Sequence, residues 1–152
     1  MQYELREVEF SEVLPIWAIK LWPGRESPIK SMSSMTYDRN FDMEIYDKYN
    51  PYFWAVFCGD MIVAVNSGHQ TNDYEFRSRG LYTNPAHRGE GLAKQVLGAT
   101  IAKAKELKLN RVWSVPRQSS VYAYESVGFK RTSDWFDEGV EFGPNCYVEL
   151  KI

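Results

Sequence analysis

The chain of 152 residues has little of what builds stapled or metal-held folds: two cysteines and two histidines. Cys58 and Cys146 lie far apart in segments that read as strands, and there is no Cys-x-x-Cys pair. His69 and His87 therefore lack the partners of a structural zinc site, and no metal is expected. The opening MQYELREVEF has neither an apolar signal core nor an Arg-rich transit character, so reduced thiols and a cytoplasmic setting are expected. No apolar run approaches the roughly 18 residues of a membrane span, which excludes a membrane partner from the expectation. An excess of basic charge is missing as well. Eighteen Lys and Arg against twenty Asp and Glu leave a net charge of −2, whereas nucleic-acid binders rely on cations that neutralise phosphates. Repeats, low-complexity tracts and linkers are also missing, so residues 1–152 are expected to form a single domain.

What the chain does have is apolar and aromatic mass, 44% and 15% of its residues, sufficient for a sizeable core. Tyr3, Leu5, Val8 and Phe10 alternate with charges and predict a half-buried strand. Ser11 then caps a helix with Val13, Leu14, Trp17, Ala18 and Leu21 on one face, stopped by Pro23-Gly24. Residues 25–35 are polar and read as a long loop. Tyr52–Cys58, the turn Gly59-Asp60 and Met61–Val65 predict a hairpin, with a break at Ser67-Gly68. A strand over about Glu75–Thr83, a helix over about Gly91–Leu109 and a strand over Arg111–Val115 form a parallel crossover unit. A short helix capped by Ser119 or Ser120 runs through Val127, followed by strands at Phe129–Phe136 and Cys146–Ile152.

The segment Leu81-Tyr82-Thr83-Asn84-Pro85-Ala86-His87-Arg88-Gly89-Glu90-Gly91-Leu92-Ala93 joins a strand end to a long helix through a basic turn with two glycines. Glycines allow close approach to a ligand, and the unpartnered N–H groups of a helix start point outward together, which suits phosphate. A P-loop is excluded because no Gly-Lys-Ser/Thr follows, and a dinucleotide fingerprint because Lys94 stands where a third small residue belongs. Taken alone, the two glycines could equally shape a turn and cap a helix.

Arg88-Gly89-Glu90-Gly91-Leu92-Ala93 resembles the acyl-CoA motif of the GNAT superfamily of N-acetyltransferases, and Tyr124-Glu125-Ser126-Val127-Gly128-Phe129 resembles that family's second signature, in the same order and at a similar spacing. The resemblance covers residues 74–131 by motif and the rest by element order. It implies an α/β fold of the α+β type: a mixed, mostly antiparallel sheet of about six or seven strands, about four flanking helices and one parallel strand-helix-strand unit. It implies acetyl-CoA as co-substrate, an amine of a small molecule or peptide as acceptor, direct acetyl transfer, and homodimers as a frequent assembly. Backbone N–H groups of Gly89, Glu90, Gly91, Leu92 and Ala93 would hold the pyrophosphate, with Arg88 adding charge. Leu81, Tyr82 and Thr83 would pair with the pantetheine arm, one N–H polarising the thioester carbonyl.

By the same resemblance Tyr124 would protonate the departing thiolate, which a phenol of pKa about 10 can do. Its spacing from Val121 and Val127 also fits plain core packing. Where many relatives carry a cofactor-contacting asparagine, this chain has Arg117, which could reach the cofactor or face solvent. For the general base Glu75 is the first candidate, with Asp73, His69 and a water chain as rivals; alternation with Arg77 and Arg79 also suits Glu75 to a cross-strand salt bridge. A non-catalytic acyl-CoA binder with the same groove is the alternative to an enzyme.

Charge is unevenly partitioned. Residues 71–131 hold eleven basic and five acidic side chains, residues 1–70 six and ten, and residues 132–152 one and five. A basic centre suits a phosphate-rich ligand. By the resemblance the acidic flanks line the acceptor pocket, which makes Glu26, Glu138, Trp22 and Trp135 the candidate contacts of a cationic amine held by carboxylates and aromatic faces; a solvated acidic surface fits the same charges equally.

Overall fold

Alternation from Tyr3 to Val8 gives β1, and the continuous apolar run Tyr52–Cys58 gives β2, buried on both faces as such runs require. Between them the computed structural model, which describes residues 2–152, places α1 at Phe10–Ile16. This helix begins one residue before the predicted Ser11, because Glu12 Oε2 accepts the Glu9 N–H at 2.9 Å and caps the turn from inside. It then widens into a π-helical turn, Trp17–Leu21, closed by Trp22 N–H donating to the Trp17 carbonyl at 2.8 Å. The widening presses the Trp17 indole onto the sheet. A long irregular segment, interrupted by the single turn α2 (Ile45–Lys48), leads back to β2.

β3 (Met61–Gln70) follows the Gly59-Asp60 turn and continues straight through Ser67-Gly68, where a break was expected. A Cβ at Gly68 would lie 2.1 Å from the Phe76 ring, so this glycine makes room for an aromatic on the next strand rather than ending its own. β4 (Glu75–Thr83), α3 (Leu92–Glu106) and β5 (Arg111–Ser114) form the predicted crossover, with β4 and β5 parallel. α4 (Gln118–Ser126) has Arg117 at its N-cap position rather than Ser119 or Ser120. The last two strands are shorter than expected, β6 at Lys130–Arg131 and β7 at Val148–Lys151, because a loop intervenes in which Phe136 and Asn145 pair.

The sheet order is β1-β2-β3-β4-β5-β7-β6, antiparallel except for β4 and β5: the mixed α/β architecture with seven strands and four helices that the element order implies. Alternate residues divide the core. Trp54, Val56, Phe76 and Val112 pack under α3 and α4 with Leu92, Val96, Leu97 and Tyr124, while Phe53, Ala55, Phe57 and Val65 pack under α1 with Val13, Trp17 and Leu21. A third cluster, Met35, Trp113 and Tyr147, holds the long loop against β5 and β7. Fully burying such side chains contributes roughly 1.5–3 kcal/mol each, which fixes the β4–β5 junction between two packed layers.

Candidate functional site

β4 and β5 pair only from Glu75–Arg77 against Arg111–Trp113; beyond that point the strands part. On its other side β4 carries a bulge: Arg79 faces Ser67 and Tyr82 faces Val65, so Gly80 and Leu81 stand opposite Asn66 alone. Gly80 has φ 73°, and a Cβ there would meet the Trp17 indole at 2.2 Å. Only glycine satisfies both conditions. Trp17 Nε1 donates to the Gly80 carbonyl at 3.0 Å, while Ser67 Oγ and Asn66 Nδ2 donate to the Arg79 carbonyl at 2.8 and 3.3 Å. The bulge is thereby pinned from both faces, and the backbone of Gly80 and Leu81 lines the space between the strands.

At the vertex of this fork sits the phenol of Tyr124. α4 turns it inward, 2% exposed, while Tyr122 on the opposite face is 82% exposed. Its oxygen lies 2.8 Å from Ser78 Oγ and 3.1 Å from Ser114 Oγ. Ser78 has one hydroxyl proton and gives it to Asn66 Oδ1 at 2.9 Å, which Thr100 Oγ1 also reaches at 2.6 Å. Ser114 Oγ donates toward both the Ser78 carbonyl at 2.7 Å and the Tyr124 oxygen, which leaves Ser78 Oγ, its own proton already given to Asn66, as the acceptor for the phenol proton. Burial raises the phenol pKa above its usual value, and the group is protonated at neutral pH. The resemblance pointed to Tyr124, but not to the Asn66–Ser78–Ser114–Thr100 network that orients it.

The fork opens into a cleft of about 560 Å³ between β4, β5, the start of α4 and two loops, around residues 21–41 and 139–145. Its charge is opposite to that of the acidic flanks. Arg25, Arg77, Arg79 and Arg117 line it, against one carboxylate among the described lining residues, Glu141. Arg25 bonds Ser27 and lies over Trp22; Arg79 donates to the Lys30 carbonyl at 2.8 Å and sits over Trp17 and Trp22; Arg117 donates to the Leu21 carbonyl at 3.1 Å. Glu141 is tied to the loop at residues 26–27: Oε2 accepts the Glu26 N–H at 2.6 Å and Oε1 accepts Ser27 Oγ at 2.6 Å, which lowers its pKa. Arg77 differs from the other three. It lies over Trp113 at 5.0 Å, and its buried Nε and Nη1 have no hydrogen-bond partner.

Of the residues singled out from sequence, Leu81, Tyr124, Arg117 and Trp22 meet at this cleft. Arg88, Gly89, Glu90 and Gly91 form an exposed turn beyond the end of β4, with Gly89 at φ 85° and Gly91 at φ 73°. Nothing lies within 4 Å of a Cβ built on either glycine, and no side chain caps the first turn of α3, where Leu92 is buried and Ala93 follows. The arrangement is an open cradle of backbone donors at the positive end of a 15-residue helix. Tyr82 packs toward the α1 core, and Thr83 ends β4.

The remaining candidates lie elsewhere. Glu75 is taken up by Arg111, which also pairs with Glu149 at 3.0 Å; this is the cross-strand ion pair, outside the cleft lining. Asp73 is exposed and accepts the Tyr49 hydroxyl at 2.7 Å. His69 is fully buried: Nε2 accepts the Ser33 N–H at 3.2 Å and Nδ1 faces the Gln70 carbonyl at 3.1 Å. Burial, with Arg77 and Arg79 close by, lowers its pKa to about 3, so the ring is neutral and ties the long loop to the sheet. Glu26 and Glu138 are exposed and outside the lining, and Trp135 packs toward the α3–α4 core beneath Arg131. The aromatic face of Trp22 is already used by Arg25 and Arg79. A mid-strand glycine is a bulge signal that would have found Gly80.

The sequence matches the model of the acetyltransferase (GNAT) family over residues 17–129. No curated protein sequence matches it. Among solved structures, the chain is similar to ribosomal-protein-S18-alanine N-acetyltransferase from Escherichia coli (13% identity, 99% of this chain and 94% of that one, TM-score 0.67) and to ElaA from Escherichia coli (14%, 97% and 99%, TM-score 0.69). It is also similar to YncA from Salmonella typhimurium, solved with its cofactor acetyl-CoA (20%, 66% and 64%, TM-score 0.55). These likenesses extend the shared fold over nearly the whole chain.

Proposed function

Because the chain belongs to the acetyltransferase (GNAT) family, we propose that it transfers an acetyl group from acetyl-CoA directly to a primary amine. The observation that carries this reading is one continuous strip of chain. It runs from the buried phenol at the β4–β5 fork, along the unpaired edge of β4 and its bulge, to the open glycine turn at the start of α3. An extended thioester with a pyrophosphate at its far end fits that strip. YncA, similar in fold, binds acetyl-CoA, which supports the assignment.

When bound, acetyl-CoA supplies an activated thioester. The N–H groups of Gly89 to Ala93, with Arg88 beside them, hold its pyrophosphate; Leu81 to Thr83 offer their edge to the pantetheine arm. An N–H freed by the Gly80–Leu81 bulge donates to the carbonyl oxygen as negative charge develops there, an interaction worth about 3–4 kcal/mol in such sites. Tyr124 then gives its proton to the leaving sulfur. No residue is assigned as base: Glu75 and His69 are engaged elsewhere, and the acceptor nitrogen loses its proton to water. The test is turnover with an amine panel together with Tyr124→Phe. We expect kcat to fall at least tenfold while acetyl-CoA affinity is unchanged. Stabilisation by acetyl-CoA without transfer to any amine would leave a binding protein instead.

A further inference from the structure

Arg77 is a buried cation with donors that the fold leaves unpaired. Its side chain is buried, it lines the cleft, and Nε and Nη1 lack any partner. A guanidinium takes either a protein carboxylate, backbone carbonyls or a bound anion. The first is excluded here. Glu75, two residues away on the same face of β4, is bound to Arg111; Glu149 is bound to the same Arg111; Glu141 is held by Ser27 and the Glu26 N–H and makes no ion pair with Arg77. The groups that act electrostatically on Arg77 are Tyr124, Tyr147 and Tyr46, which are phenols, and Arg25, which repels it. The other three arginines of the cleft each have a carbonyl acceptor, so Arg77 alone combines burial with vacant donors. The same cleft carries an orphaned acceptor. Asn145 Oδ1 is buried and unpaired, while Nδ2 of that amide donates to the Val115 carbonyl at 2.7 Å.

Two vacant cationic donors and a vacant neutral acceptor on residues of one cleft complement a ligand that has both an anion and an N–H group. We propose that the amine acceptor carries a carboxylate or phosphate close to its amino group, with Arg77 binding that anion and Asn145 accepting from the amine. This rests on the acetyl-transfer reading above and narrows its substrate class. The phosphate cradle of the cofactor does not absorb Arg77, because Arg88 to Ala93 form no part of the cleft lining. The acceptor's charge is then the reverse of that expected from the acidic flanks.

Matched amines test it: L-leucine against L-leucinamide for the carboxylate, and O-phosphoethanolamine against ethanolamine for the phosphate, each assayed with the full chain and acetyl-CoA. The anionic member of one pair should be acetylated with kcat/KM at least tenfold higher, and which pair responds identifies the anion. Arg77→Met should bring that ratio close to one, chiefly through KM, and Arg77→Lys should restore part of it. Preference for the uncharged members, or an equal loss on both members in Arg77→Met, overturns the proposal. Thermal shift decides the matter independently of catalysis. L-leucine or O-phosphoethanolamine should raise the wild-type Tm and leave that of Arg77→Met unchanged; no shift from either in the wild type refutes anion binding. Anion-dependent stabilisation with no acetyl transfer would refute the transferase reading alone, and transfer indifferent to the anion would refute this inference alone.

Discussion

Replacing Arg77 by methionine is expected to stabilise the ligand-free protein, an unusual outcome for a buried residue. Burial lowers the guanidinium pKa from its usual range by more than two units, to about 10. That fall corresponds to about 3 kcal/mol held against the charged form. The contact with Trp113 at 5.0 Å returns part of it, about 1–2 kcal/mol for a desolvated cation–π pair. Methionine keeps the apolar stem against Trp113 and brings no donor, so the net gain is about 1–2 kcal/mol, or a Tm rise of about 2–8 °C for a domain of this size. Thermal unfolding followed by circular dichroism at pH 7, in buffer free of carboxylate and phosphate, measures it. The sign with pH follows from linkage. A base whose folded pKa is depressed burdens the fold fully below that pKa and is relieved as pH rises from about 10 toward the usual guanidinium range, so the gap between variant and wild type should narrow over that window. A variant less stable than wild type by more than about 1 kcal/mol would refute the reasoning, since the desolvation cost would then be outweighed by what the guanidinium contributes to the fold.

Three other outcomes are expected. Gly91→Asp should weaken acetyl-CoA binding about a hundredfold, because a carboxylate about 5 Å from a pyrophosphate costs about 3 kcal/mol at an effective dielectric near 20; Gly91→Asn, which tolerates φ 73° and adds no charge, should lose far less by calorimetry. His69 stays neutral in the fold down to about pH 3 but protonates below about 6.5 when unfolded, so stability should fall by up to about 1.4 kcal/mol per pH unit as pH drops through that window; His69→Gln should flatten the slope between pH 6.5 and 5 in urea titrations. Gly80→Ala forces a methyl group to within 2.2 Å of Trp17 at a positive φ and should cost about 2–4 kcal/mol, read from the urea midpoint; a neutral result would mean that the bulge is not held by the indole.

Local spacing explains which parts of this site could be seen in the sequence. The glycine turn and Tyr124 belong to short contiguous patterns, and the β4-α3-β5 unit follows from alternation giving way to helical periodicity. The charge of the cleft is drawn partly from the basic middle of the chain and partly from outside it. Arg25, Arg77, Arg79 and Arg117 come from three distant segments and converge only through the sheet order, whereas Glu26 and Glu138, which tilt the composition of the flanks, end up exposed. The basic sum over residues 71–131 matches the three arginines that this segment gives the cleft, whereas the acidic sums of the flanks do not carry over, since the flanks contribute Arg25 and a single carboxylate, Glu141. Gly68 misled in a related way, since its reason lies on a neighbouring strand in the Phe76 ring. Glu75 alternates with Arg77 and Arg79 as expected, but its fate was decided by Arg111, thirty-six residues on.

The clasp that Glu141 makes on Glu26 and Ser27 has an evolutionary consequence. One side chain joins the two loops that wall the cleft opposite the sheet, so neither loop can be exchanged with a relative's as an independent cassette. Two of the three bonds come from backbone N–H groups, so a change of loop length or backbone path within residues 22–41 alone, rather than of side chains, would detach the far wall. Diversification of this protein is then constrained to paired replacements across more than a hundred positions of chain, and a recombination library that keeps both loops from one parent should yield far more folded members than one that mixes them.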